Sequence, residues 1–151
     1  MHAIKTILFS ICVFTATALN AEAMLHPIFG EKIPFSTLRD KWVFINYWAS
    51  WCEPCLEEIP ELNRFYQRHK KDNVALFAVN YDMLPPDMQQ QLVNDYHIHY
   101  PALQKDPARP LHLGDIRGVP VTFVFNPQGL LVQTLYGGQT ATQLSRLIRN
   151  Q

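Results

Sequence analysis

A single α/β domain built on a mixed sheet is what the sequence predicts, and three observations carry that prediction. Trp42–Trp48 (WVFINYW) and Val74–Asn80 (VALFAVN) are near-continuous apolar, β-branched and aromatic runs. Central strands covered on both faces read this way. Between the two runs, Leu56, Ile59, Leu62, Phe65 and Tyr66 recur at helical spacing, so the unit is a strand–helix–strand crossover with parallel strands. Two further strands, at 121–126 and 130–136, are separated by Asn126-Pro127-Gln128-Gly129, a turn sequence that folds them into an antiparallel hairpin. Parallel and antiparallel pairs in one sheet make it mixed.

The remaining elements follow from local signals. The helix between the first two strands carries Glu57, Glu58 and Glu61 at its front and Arg64, Arg68, Lys70 and Lys71 at its end, an order that complements the helix dipole. A second helix is expected from Pro86, at its first turn, to about Tyr96. The proline-punctuated stretch 101–110 predicts loop, with a short strand at Ala102–Leu103. Gly137-Gly138 closes the hairpin, and Thr140 with Gln143 three residues on forms a capping box for a last helix reaching about Arg149. No repeat or linker divides the chain.

Residues 1–23 stand apart. Lys5 precedes an apolar run from Ile7 to Ala18, and Ala21-Glu22-Ala23 offers the small-x-small pattern of a signal peptidase site. The run is shorter than the roughly 20 residues of a membrane span. The expected division is a secretory signal at 1–23 and one domain at 24–151, with an uncleaved membrane anchor as the alternative. Cys12 lacks the small residues that precede a lipid-attachment cysteine.

Composition excludes several function classes. Thirteen basic and thirteen acidic residues cancel, which leaves no positive field for nucleic acid or a polybasic membrane contact. Three cysteines are too few for a disulfide-stapled scaffold or a Cys-rich zinc site. His97 and His99 could be read as metal ligands, but they alternate beside Tyr100-Pro101 in a loop or strand, and no metal or other cofactor is expected.

The chemistry centres on Trp51-Cys52-Glu53-Pro54-Cys55, where the first strand ends and the helix begins. A cysteine at a helix N-terminus faces unpaired N–H groups and the positive dipole end, which favour its thiolate. Cys52 holds that place as nucleophile. Cys55 lies one turn in, within disulfide reach, as the sheltered, resolving partner. Pro54 stiffens the first turn, and Glu53 puts a negative charge beside the pair. A structural disulfide or half of a metal site is the bland reading of the same two residues. The other early glutamates are read as dipole complementarity.

The segment Trp-Ala-Ser-Trp-Cys-Glu-Pro-Cys at 48–55 resembles the thioredoxin superfamily, and most of all its exported TlpA/ResA-type branch. Pro60 falls where the family has a helix-kinking proline, and Gly118-Val119-Pro120-Val121-Thr122-Phe123 is similar to the family segment whose proline is cis and packs opposite the disulfide. The likeness runs from about residue 33 to 150. It implies a thioredoxin-like, three-layer α/β/α fold and a redox-active Cys52–Cys55 disulfide, with Trp51, Glu53, Pro54, Val119 and Pro120 at the surface a substrate meets. Cytosolic thioredoxins have a buried aspartate where this chain has Asn46, whose amide cannot accept a thiol proton. Asp82, near the end of the next strand, is the candidate proton acceptor.

The expected function is a periplasmic thiol:disulfide oxidoreductase acting as a reductase on exported protein thiols and disulfides. The resemblance adds cytochrome c maturation as its setting and a membrane thiol transporter as its electron donor. A disulfide oxidase or isomerase is the rival within the enzyme class. A thiol-based copper(I) chaperone is the rival outside it, and it needs a third ligand that the motif does not supply.

Overall fold

The computed structural model describes residues 22–150. The expected signal segment therefore lies outside the described residues except for its last two positions. Among the described residues no helix is long and apolar enough to cross a membrane.

The chain begins with a small antiparallel hairpin, β1 (Met24–Leu25) against β2 (Ile33–Pro34), and one 3-10 turn at Phe35–Leu38. It then runs β3 (Trp42–Trp48), α1 (Glu53–His69), β4 (Val74–Asn80), α2 (Pro86–Asp95), β5 (Ala102–Leu103), β6 (Val121–Phe125), β7 (Leu131–Tyr136) and α3 (Ala141–Arg149). Strands β3 and β4 occupy the two ranges expected from their apolar runs. The hairpin strands stop short of Asn126 and Leu130 because the Asn126 side chain accepts the N–H groups of Gln128 and Leu130, 3.1 and 3.0 Å away. Gly129 completes that turn at φ 77°, where a side chain would be strained.

The main sheet has the order β5-β4-β3-β6-β7. β3 pairs in parallel with β4 and antiparallel with β6, so the mixed sheet is confirmed with β3 at its centre. All seven residues of β3 are buried. Alternation along the strand divides them between two cores. Trp42, Phe44 and Trp48 join Ile59, Leu62 and Phe65 of α1 and Leu144 of α3 on one face. Val43, Ile45 and Tyr47 join Leu25, Leu38, Leu111 and Leu113 on the other.

The two covering layers differ in kind. All three helices contribute to the first face, through Leu92 and Val93 in the case of α2, with Tyr96 following at its end. The opposite face is covered by the β1–β2 hairpin, the 3-10 turn and the loop carrying Leu111 and Leu113. Neither β1 nor β2 announces itself in the sequence, since a two-residue strand is too short to show a period.

Candidate active site

Cys52 and Cys55 form a disulfide, with Cα atoms 5.2 Å apart. The local sequence explains the placement. β3 ends at Trp48, and Cys52 is the N-cap of α1 in extended conformation, with Pro54 in the first turn. The Cys55 N–H donates to the Cys52 sulfur at 3.3 Å. The sulfur thus takes one of the amides that a helix start leaves unpaired. Cys52 is 5% exposed and Cys55 is fully buried, so any attacking partner reaches Cys52 first. Trp51 is 68% exposed, and Glu53 and Pro54 are also at the surface.

Two distant segments close around the pair. The Val119–Pro120 peptide is cis, and Val119 packs against the core cluster that holds both cysteines. The Pro120 carbonyl accepts the Gly137 N–H at 2.9 Å, which ties the start of β6 to the Gly137-Gly138 turn. A Cβ on Gly138 would meet the Pro54 carbonyl oxygen at 3.6 Å, so this turn lies against the Cys-x-x-Cys loop. The sequence presents Gly137-Gly138 only as a hairpin terminus; the structure makes it part of the site.

Asp82 and Glu58 differ in their surroundings. Asp82 follows β4, and both its oxygens are occupied. Oδ2 accepts the Ser50 N–H at 2.9 Å and the Asn80 amide at 2.6 Å, while Oδ1 accepts the Ser50 hydroxyl at 2.9 Å. The buried acid is Glu58, three residues after Cys55 on α1 and only 3% exposed. Its Oε2 accepts the Asn46 amide at 3.1 Å and its Oε1 the Gln139 N–H at 2.9 Å. Burial raises the Glu58 pKa to about 7, against the opposing pull of these two hydrogen bonds. The Asn46 amide also donates to Thr122 at 3.0 Å. Tyr100 is buried too, and burial followed by the Glu58 charge holds its hydroxyl pKa above the usual range.

A cleft of about 270 Å³ lined by Pro54, Glu58, Glu61, Gly138 and Gln139 opens beside this acid. Glu58 is therefore a carboxyl suited to exchange protons near neutral pH, on the helix that carries both cysteines. Sequence reasoning assigned it to dipole complementarity. The available signal was its spacing: i+3 from Cys55 puts it on the cysteine's own helical face, which is buried.

His97 and His99 are exposed, with ring centroids 6.5 Å apart. The Asn63 side chain holds the loop between them, donating to the His97 carbonyl and accepting the His99 N–H, each at 2.8 Å. Among the described residues no group of three or more histidine, cysteine or acidic side chains is placed to hold a metal.

A model of the AhpC/TSA family matches residues 14–134. The chain belongs to that family. Its match to a thiol:disulfide interchange protein of the thioredoxin family from Chlorobium tepidum has a TM-score of 0.73. At 20% identity, over 85% of this chain and 91% of that one, the likeness establishes the thioredoxin-like fold. Curated relatives lie in the same superfamily. The thiol-disulfide oxidoreductase ResA of Bacillus subtilis is 30% identical over 115 residues, covering 76% of this chain and 64% of ResA. The chain thus spans just under two thirds of that relative's length. The sporulation thiol-disulfide oxidoreductase A of the same organism is 30% identical over 131 residues, covering 84% of this chain and 78% of the relative.

Proposed function

We propose that this protein is an exported thiol–disulfide oxidoreductase that works as a reductase on protein disulfides. The observation that carries the reading is a Cys52–Cys55 disulfide at the head of α1. The relatives' activity supports it.

In the reduced protein, the Cys52 thiolate attacks a substrate disulfide, forms a mixed disulfide and releases one substrate thiolate. Cys55 then gives up its proton and attacks the Cys52 sulfur. The Cys52–Cys55 disulfide forms, the second substrate thiolate leaves, and two electrons have passed to the substrate. The resolving thiol is fully buried, where its own ionisation is disfavoured. Glu58, one helical turn from Cys55 and with a pKa of about 7, is suited to take that proton. Asp82, half-buried after β4, holds Ser50 and Asn80 instead. Trp51, Glu53, Pro54 and Val119 form the surface the substrate meets, while Pro120, expected with them, has its side chain buried.

A dithiol protein must recharge the enzyme. A membrane thiol transporter is the donor that fits a periplasmic location, and the signal-like residues 1–23 support export. Within that setting, apocytochrome c cysteines awaiting haem are the substrate class favoured by the relationship to ResA-type proteins.

Reduction of insulin disulfides by the chemically reduced protein tests the activity. Cys55→Ser should trap covalent partners through Cys52, and Cys52→Ser should trap none. Direction is tested by a redox titration. The Glu53 charge disfavours a thiolate at Cys52, so the couple should lie near about −270 mV rather than about −120 mV. A value at the oxidising end would replace the reductase reading with that of an oxidase.

A further inference from the structure

We propose that Asp82 is a positioning residue: its carboxylate holds Ser50, and through Ser50 it sets where the Cys52 sulfur sits at the head of α1. This rests on the reading that Cys52 is the attacking sulfur.

The segment Ala49–Cys52 leaves β3 and enters α1 with Ala49 and Cys52 buried at its ends, while Trp51 projects into solvent at 68% exposure. The Tyr96 hydroxyl reaches the Ser50 carbonyl only at a long 3.5 Å. The only backbone hydrogen bond closing the segment on itself runs from the Cys52 N–H to the Ala49 carbonyl, at 3.2 Å. Ser50 is where the loop meets an outside support. Its N–H and its hydroxyl both donate to Asp82, one to each carboxylate oxygen, and both bonds are 2.9 Å. Two charge-assisted bonds from one residue to the two oxygens of one carboxylate fix orientation as well as position.

The support is itself anchored. Asn80 and Asp82 grip each other reciprocally, the Asn80 amide donating to Asp82 Oδ2 at 2.6 Å and the Asp82 N–H donating to Asn80 Oδ1 at 3.0 Å. Asn80 is the last residue of β4 and pairs in register with Trp48, the last residue of β3. Tyr81 adds a hydrogen bond from its N–H to the Trp48 carbonyl at 2.8 Å. The clamp therefore refers the loop to the two central parallel strands at the point where α1 begins. Two residues after Ser50, the Cys52 sulfur meets the Cys55 N–H and the helix N-terminus, the groups that favour its thiolate.

Four roles for Asp82 predict different results: a clamp, a bare charge, a merely structural contact and a proton acceptor. A bare negative charge near Cys52 disfavours its thiolate, whereas the clamp favours it by holding the sulfur on the helix N-terminus. The experiment follows alkylation of Cys52 against pH in the reduced, full-length protein. With the clamp lost in Asp82→Ala, alkylation at neutral pH should slow about tenfold and its midpoint should move to higher pH. Ser50→Ala keeps the charge and the backbone bond, and should shift the profile the same way by less. The double variant should be no slower than Asp82→Ala alone, since both act through one contact. Asp82→Asn, which keeps an acceptor oxygen, should recover part of the loss.

Faster alkylation in Asp82→Ala would show that Asp82 acts only as a charge and overturn the proposal. An unchanged profile with a lowered melting temperature would overturn it in favour of a merely structural contact. An unchanged profile with altered pH dependence of mixed-disulfide resolution would return Asp82 to proton transfer. Should Asp82→Ala fail to fold, Ser50→Ala decides alone, and an unshifted profile there overturns the clamp. Wild-type protein that reduces no protein disulfide sinks the parent reading separately, because alkylation scores the clamp without any substrate.

Discussion

Glu58 is a carboxyl buried on the helix that carries both cysteines, and its linkage to stability has a definite sign. An exposed glutamate titrates near 4.5, whereas in the folded protein burial raises this one to about 7. Between those values the folded state binds more protons than the unfolded one, so stability falls as pH rises through that window and is level above it. The penalty at pH 8 is on the order of 3 kcal/mol. Glu58→Gln should lose this falling component and be more stable than the wild type at pH 8, as read from denaturant midpoints between pH 4.5 and 8. His69 contributes a slope of the opposite sign, since desolvation lowers its pKa below the ordinary 6.5, and the difference between the two proteins isolates the Glu58 part. The functional counterpart is slower mixed-disulfide resolution in Glu58→Gln, with loss of the pH dependence centred near 7. The two cysteines should separate as well. Alkylation of the reduced protein at neutral pH, followed by peptide mapping, should find label on Cys52, because Cys55 has no exposed surface.

At the scale of elements, α3 is held to the site helix by contacts that a single substitution can weigh. Thr140 caps α3 with a reciprocal capping box, accepting from the Gln143 N–H while the Gln143 side chain accepts from the Thr140 N–H. Glu61 of α1 accepts the Ala141 N–H at 3.0 Å, a bond that keeps the Glu61 carboxyl pKa below its ordinary value. Thr140→Ala should cost about 1 kcal/mol. Leu144 is fully buried in the helix-side core, and Leu144→Ala should cost about 2–5 kcal/mol, depending on how far the cavity collapses. Urea unfolding checks both values. Elements of this kind were legible from the sequence because their signals are local: the apolar runs of β3 and β4, the capping box at Thr140 and the turn at Asn126. The same is true of the Cys52–Cys55 pair at the strand–helix junction. What escaped is long-range. Glu58 looks like any acid near a helix start until its face is known to be buried, and Gly137-Gly138 looks like a turn until Pro54 is placed against it. Asp82 stood out as an acid near the right strand end, but only its bonds to Ser50 and Asn80 show what it holds.

For the whole molecule, the redox state and the folding equilibrium are linked. Glu53 and the buried Glu58 both disfavour a second negative charge nearby, so they oppose the thiolate form of the reduced pair. A strong oxidant of this fold class is one whose reduced form is stabilised, and the reductase reading requires the opposite of this protein. The oxidised protein should therefore unfold at higher urea than the reduced protein, with the midpoints measured at one pH in the presence and absence of reductant. Equal midpoints, or a more stable reduced form, would contradict the reductase assignment. The closure of the site across the chain has a further consequence, for biosynthesis. Glu58 receives its Gln139 hydrogen bond from a residue 81 positions downstream, and the Gly137 N–H that meets Pro120 is likewise late in the chain. A ribosome or a translocation pore that works from the N-terminus delivers both cysteines long before the groups that surround them. For most of its emergence the nascent chain carries Cys52 and Cys55 as ordinary thiols, open to any oxidant it meets, and their surroundings close only when the Gly137–Gln139 turn arrives.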